Sequence, residues 1–355
     1  MYWSEASGKG VSPGARSSHA LAAVGNCLYI FGGELVARTP LPAQLFCYDN
    51  AQRSWQQLNL SGEDLGPRLG HSTTAVGTDL YTFGGRTGVH FADSTLGDLF
   101  KINVDTLTCE EVHANGQAPE PRSYHAAATS GSDLYIFGGC GADGRLNDLH
   151  QYSTTSNTWR TLPPHPDIKP RGGAGLVAHN DKLFVIGGFS GKEQGDVYVF
   201  DLTKEIWSDV TGGSPLPARS VFAHGILPQG KLGADLGKLG ADLGKVGGDP
   251  GKVGADLQPG SDWIVVFGGE VDPSDLGHEG AGDYADEVFG LDPCKTQLGW
   301  QKLTIKGSAP SPRAWLASTS FPSGVAIHGG NAPDNSRLDG LSTPEALVAK
   351  VGEKV

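Results

Sequence analysis

Between Gly269 and Gly282 the chain concentrates Glu270, Asp272, Asp275, His278 and Glu279 in a loop constrained by Pro273 and several glycines. Carboxylates mixed with an imidazole suit Fe(II), zinc or manganese, and a site with open positions can take a substrate. Glu270 and His278 meet only if this loop folds back, and a solvated acidic loop is the plainer reading of the same residues. A second set of residues follows six glycine pairs, Gly32-Gly33, Gly84-Gly85, Gly138-Gly139, Gly187-Gly188, Gly268-Gly269 and Gly329-Gly330. The residues directly after them are Glu34, Arg86, Cys140, Phe189, Glu270 and Asn331. If the six units surround a channel, these residues stand together at its mouth. Two carboxylates, an arginine and an amide there form a ligand site on loops of a rigid scaffold. Stabilisation of tight turns is the competing role.

The glycine pairs each end a short apolar run and recur at about fifty residues. Five are preceded by an arginine sixteen residues before the first glycine, namely Arg16, Arg68, Arg122, Arg171 and Arg313. Arg219 is the sixth, separated from Gly268 by an insertion. Such self-similarity marks repeated units that cannot bury their apolar faces alone and must stack. In the third unit Arg122–Ala128, Asp133–Phe137, Asn147–Tyr152 and Thr158–Leu162 read as four short strands with turn residues between them. That is one antiparallel blade, and the chain resembles the kelch family along nearly its whole length. The arginines occupy one position in every unit, which argues for a structural role between blades. His19, His71 and His125, each three residues after an arginine, are assigned to blade packing for the same reason.

The tryptophans indicate how the ring closes. Trp55, Trp159, Trp207 and Trp300 each end a unit twelve or thirteen residues before the next arginine, and Cys109 takes that place in the second. Trp3 precedes Arg16 by thirteen residues although no unit stands before it, and no tryptophan follows Gly330. The expected fold is therefore all-β: a single six-bladed kelch β-propeller over residues 1–355, with four-stranded antiparallel blades and the N-terminal strand completing the last. Joining the two ends removes exposed sheet edges.

A formal net charge of -12 excludes a nucleic-acid partner, which needs basic surface to neutralise phosphates. No apolar run approaches the length of a membrane helix, so no membrane partner is expected. Residues 1–7 have neither a basic segment nor an apolar core for a signal peptide. The five cysteines lack metal-type CxxC spacing and read mostly as buried thiols of a reduced compartment, the cytoplasm or nucleus. Residues 231–258 are four seven-residue units whose glycines and Pro250 oppose a helix and whose four lysines and four aspartates balance. They read as a disordered loop between the first and second strands of the fifth blade. That position lies on the face opposite the loops that follow the glycine pairs.

The Gly269–Gly282 loop, Pro13–His19, Arg122–His125 and Gly329–Asn331 together resemble the specifier-protein group of kelch propellers. That group includes nitrile-specifier, epithiospecifier and thiocyanate-forming proteins. The resemblance implies dependence on Fe(II) and action on the thiohydroximate-O-sulfate that myrosinase releases from glucosinolates, diverted from isothiocyanate toward nitriles and related products. It implies a metal site of the pattern Glu-x3-Asp-x3-His. Glu270 and His278 match its ends, while Ser274 stands where the group has aspartate, and Asp275 is the neighbouring carboxylate. It also implies arginines holding the substrate's sulfate, for which Arg86 and Arg145 are in suitable positions beside Glu34. Two functions follow: Fe(II)-assisted, lyase-like chemistry on a small sulfated intermediate, or a non-catalytic kelch scaffold that binds a protein partner.

Overall fold

The computed structural model describes residues 2–5, 8–88, 94–228, 262–272, 282–307, 309–322, 324–334 and 341–345. The second strand of each unit is its most apolar segment, and it is buried on both faces. Leu134, Ile136 and Phe137, or Leu183, Val185 and Ile186, are wholly inaccessible. A continuous apolar run of this length is what a strand sandwiched between two neighbouring sheets requires. The apolar clusters accordingly join adjacent units: Tyr135, Phe137 and Leu149 pack with Leu183, Val185 and Phe200.

Among the described residues, six sheets of four or five strands result, with two additional two-stranded ribbons. Five sheets come from contiguous stretches of chain. The sixth unites Ala317–Phe321, Gly324–His328 and Leu341–Glu345 with the N-terminal strand Tyr2–Glu5, which pairs antiparallel with Leu341–Glu345. Trp3 is buried, with its ring 5.0 Å from that of Phe267. The first strands, Ala20–Val24, Ser72–Val76, Ala126–Ser130, Gly175–His179, Ala223–Leu227 and Ala317–Phe321, each contact the next, and the last returns to the first. They line a central cavity of about 430 Å³. The fold is an all-β propeller. No helix among the described residues is long and apolar enough to cross a membrane.

Four antiparallel strands per sheet is not the whole pattern. Lys9–Gly10, Ser61–Gly62 and Asn115–Gly116 add short fifth strands, each parallel to the outermost strand of a sheet. The segments leading into a unit run beside its outer edge and use the backbone groups that would otherwise face solvent.

The recurrent arginine clamps two units at once. Its side chain donates from Nη1 to the carbonyl of its own unit's first glycine, at 2.9–3.1 Å in all six cases. Its own carbonyl accepts from the N–H of the preceding unit's second glycine, at 2.9 Å throughout. Gly138 and Gly139 show why glycine is needed. Both have positive φ, and a Cβ on either would lie 2.9 Å from a backbone carbonyl, that of Arg171 or of Ser123. Arg68, Arg122 and Arg171 add bidentate pairs to Asp98, Asp148 and Asp196. Burial alone would raise the Asp148 carboxyl, but Arg122 and His150 more than offset it and hold it well below the usual range. Arg219 instead stacks over Phe289 at 4.9 Å, and its burial lowers it to about 10.

His71 and His125 set their rings edge-on to Phe31 and Phe83, both at 5.3 Å, and His19 Nε2 lies 3.0 Å from His328 Nδ1. Burial depresses all three repeat histidines, His125 to about 3, so they act as neutral packing groups. The cysteines are less uniformly buried than expected. Cys47 and Cys109 are buried, Cys27 and Cys140 partly so, and Cys294 is exposed; all are free thiols. Residues 231–258 lie outside the described residues. The flanking strands, Ala223–Leu227 and Trp263–Phe267, have Leu227 and Trp263 at their ends away from Ser220 and Glu270.

Replacing Arg122 with alanine leaves the Gly138 carbonyl without its buried donor and Asp148 with His150 alone, and should cost about 3–5 kcal/mol, read as a lowered denaturation midpoint. Trp3→Ala should cost about 3–5 kcal/mol by emptying the seam where the chain ends meet. Destabilisation by that N-terminal change, in the same unfolding assay, tests whether the terminal strand belongs to the cooperative fold.

Candidate functional site

The residue after each glycine pair makes an isolated antiparallel bridge to the residue after the arginine. The six bridges are Ser17 with Glu34, Leu69 with Arg86, Ser123 with Cys140, Gly172 with Phe189, Ser220 with Glu270, and Ala314 with Asn331. The mouth residues expected from the sequence thus occupy one equivalent position in each unit. The next residue along completes a second ring. Ser18 donates its N–H to Trp315, Trp315 to Val221, Val221 to Gly173, Gly173 to Tyr124, Tyr124 to Gly70, and Gly70 to Ser18, at 2.7–3.0 Å. All six have φ between 47° and 63°. Four of them carry side chains, Ser18, Tyr124, Val221 and Trp315, and a non-glycine residue in this region costs about 1–3 kcal/mol. The closed hydrogen-bond cycle holds them there.

Glu34 is buried and pinned. Ser18 Oγ donates to its Oε1 at 2.9 Å, and the Arg38 N–H donates to Oε2 at 2.5 Å. Ser18 Oγ also lies 3.4 Å from the Tyr124 hydroxyl, and the Arg86 guanidinium sits 5.6 Å from the Tyr124 ring centre. Arg145 faces Cys140 across its hairpin and stacks over Phe189 at 4.6 Å. Burial raises the Cys140 thiol, and Arg145 and Arg86 both act against that rise. Both arginines thus border the bridge of Ser123 with Cys140, Arg86 through Tyr124, which follows Ser123, and Arg145 through Cys140.

Beyond them lies a carboxylate pair. Glu193 faces Phe189 across the fourth unit's hairpin and is only 8% exposed. Ser220 Oγ donates to its Oε1 at 3.2 Å, while Oε2 has no hydrogen-bond partner among the described residues. Burial pushes Glu193 up to about 8, with Glu270 raising it further and Ser220 and Arg145 opposing. Glu270 is completely buried, and burial pushes it up to about 7. Its backbone is bonded in both directions to Ser220, and it pairs with Tyr284 across a short ribbon. A Cβ on Gly282 would come 2.7 Å from Glu270 Oε1, so only glycine lets the returning loop pass so close.

The expected site residues thus divide. Glu34, Arg86, Arg145 and Glu270 all belong to the mouth. Ser274, Asp275 and His278 lie outside the described residues. Among the described residues no group of three or more His, Cys, Asp or Glu side chains is arranged to hold a metal ion. Glu193, Tyr124 and Ser220 were not anticipated. Glu193 had a local signal, since it lies across the same hairpin position as Arg145 in the preceding unit.

Radial sheets around a channel, clamped by repeat arginines and carrying polar loop residues at one end, define a repeat propeller. The chain belongs to the kelch-repeat family: the profile of the KLHDC2/KLHL20/DRC7 Kelch-repeats domain matches residues 18–229, more than half of it. It is 29% identical over 359 residues to the N-(sulfonatooxy)prop-2-enimidothioate sulfolyase of Thlaspi arvense, covering 93% of this chain and 92% of that protein. The chain therefore resembles a specifier-type sulfolyase over nearly all of both sequences. It is also 28% identical to Adagio protein 3 of Arabidopsis thaliana, over 96% of this chain but 51% of that protein. A solved structure titled "Structure of YjhT" superposes with a TM-score of 0.67 at 16% identity, covering 93% of this chain and 95% of that one, and shares the fold.

The carboxylate pair yields a pH prediction. Glu193 keeps its proton to about pH 8 in the folded chain, whereas an unstrained glutamate releases it near 4.5. Its contribution is full below 4.5 and stability falls as pH rises through 8, at ~1.4 kcal/mol per pKa unit. Glu193→Gln has no such loss. The variant's melting temperature should gain on the unaltered protein between pH 5 and 8.5, and equal slopes for both would refute the assignment.

Proposed function

We propose that the mouth binds a small sulfated, sulfur-containing organic intermediate and directs its breakdown in the manner of a specifier protein. The observation that carries this reading is the placement of Arg86 over Tyr124 and of Arg145 over Phe189, with the buried Glu193 facing Phe189 across its hairpin. Two guanidiniums can hold a sulfate through charge-assisted, paired hydrogen bonds. Tyr124 and Phe189 stack beneath them and fix their planes. Glu34, anchored by Ser18, borders the same end of the channel. We read the six sheets as six blades of one ring, closed by the N-terminal strand.

Glu270, His278 and Asp275 are the residues that would hold Fe(II), with Ser274 in place of the group's aspartate. The described part of the site fits a divalent cation, because Glu270 is buried beside a second carboxylate whose Oε2 has no hydrogen-bond partner among the described residues. Bound there, Fe(II) would supply a Lewis acid for the substrate's sulfur. The residues around it bind and orient: the arginines take the sulfate, and the aromatic rings limit water at the reacting end. The likeness to the Thlaspi arvense sulfolyase, whose name specifies a sulfonatooxy-imidothioate, supports this substrate class.

A protein-binding scaffold is the second reading. It is favoured by Leu35 and Val36, which are 51% and 66% exposed beside Glu34. Partner capture through this apolar rim would survive chelation.

The deciding experiment is product analysis of a glucosinolate–myrosinase mixture with Fe(II), with and without the protein. A shift from isothiocyanate toward nitrile is expected, and Arg86→Ala or Arg145→Ala should reduce it at least about tenfold, since hydrogen bonds to a charged group contribute ~1.5–3 kcal/mol. No shift with folded, iron-supplied protein would remove the specifier reading.

A further inference from the structure

We propose that Glu193 is a second carboxylate ligand of the divalent-cation site, completing with Glu270 the oxygen donors that Ser274 leaves short. The inference rests on the cation reading above and adds a ligand from a different repeat. Glu193 comes from the hairpin of the fourth unit and Glu270 from that of the fifth. Ser220 ties them together: its hydroxyl holds Glu193 Oε1, and its backbone pairs with Glu270. One oxygen of Glu193 is thus satisfied and fixes the carboxylate's orientation, while Oε2 is enclosed without a hydrogen-bond partner among the described residues.

A buried carboxylate oxygen without a partner carries a large desolvation cost, and a second carboxylate beside it adds repulsion. A divalent cation between them offsets both. The scaffold itself does not demand an acid here. The positions facing the mouth residues across their hairpins are Pro40, Thr95, Arg145, Glu193 and Tyr284. No residue type recurs among them, unlike the arginines that hold the units together. Glu193 is therefore particular to this site. Carboxylate ligands suit hard or borderline divalent ions, which makes Mn(II) an appropriate spin-stable probe alongside Fe(II).

The test is calorimetric titration of Mn(II), and of Fe(II) under anaerobic conditions, into the full-length protein and its variants. One ion per chain is expected for the unaltered protein. Glu193→Gln should weaken binding at least about tenfold, because even residues that only support metal ligands contribute 10–100-fold. Glu193→Asp, which keeps the charge on a shorter stem, should weaken it less. Thermal unfolding in chelator establishes that each variant is folded, and a metal-induced rise in melting temperature should be smaller for Glu193→Gln. If Glu193→Gln binds like the unaltered protein while Glu270→Gln does not, the cation reading stands and Glu193 is not a ligand. If the unaltered protein binds neither ion, the ligand assignment and the metal part of the proposed function fall together, whereas sulfate binding by Arg86 and Arg145 is untouched.

Discussion

Each arginine in the ring is bonded to two units, through its guanidinium to its own and through its carbonyl to the one before. Everything else in the structure depends on that clamp. The six contacts to the arginine carbonyls and the six-membered hydrogen-bond cycle beside them are made between backbone groups, so they hold whatever side chains the loops carry. The clamp also buries six cations. Three are neutralised by aspartates on the third strands of their units, and others rely on glycine carbonyls and aromatic faces. Removing one member of such an arrangement costs far more than the pair contributes, because the remaining charge or carbonyl stays buried.

The same geometry creates the mouth. The glycine pair takes the chain sharply out of the second strand, and the following residue must bridge to the segment entering the first strand. Six residues are thereby brought to one end of the channel through their backbone bridges. The left-handed backbone at Ser18, Tyr124, Val221 and Trp315 is kept by the surrounding hydrogen bonds. Chemistry can then vary by unit, and here it is unequal. Arg86 and Arg145 belong to consecutive units, and Glu193 and Glu270 to the next two. Positive charge and buried carboxylates are thus neighbours in the ring.

Family membership and function are separate inferences for this architecture. The kelch pattern accounts for the arginines and glycines of the units, and the chain is similar along most of its length to proteins as different as a sulfolyase and Adagio protein 3. Sites grafted on the loops decide activity.

The period of the glycine pairs, the constant arginine spacing and the stray Trp3 were enough to determine the stacked units, the joining of the chain's ends and the ring of mouth residues. These features repeat, and repetition makes them visible in one dimension. The parallel fifth strands were not visible, because two-residue segments such as Lys9–Gly10 have no pattern and are set by the neighbouring edge. The stack of Arg145 on Phe189, the proximity of Arg86 and Arg145 at Cys140, and the burial of Glu193 against Ser220 all join residues of different units or hairpins. Glu193 reads as one more surface acid within Ser190–Gln194. Only the closing of the fourth unit onto the fifth removes it from water and sets it beside Glu270, because burial is a property of the ring and not of the residue.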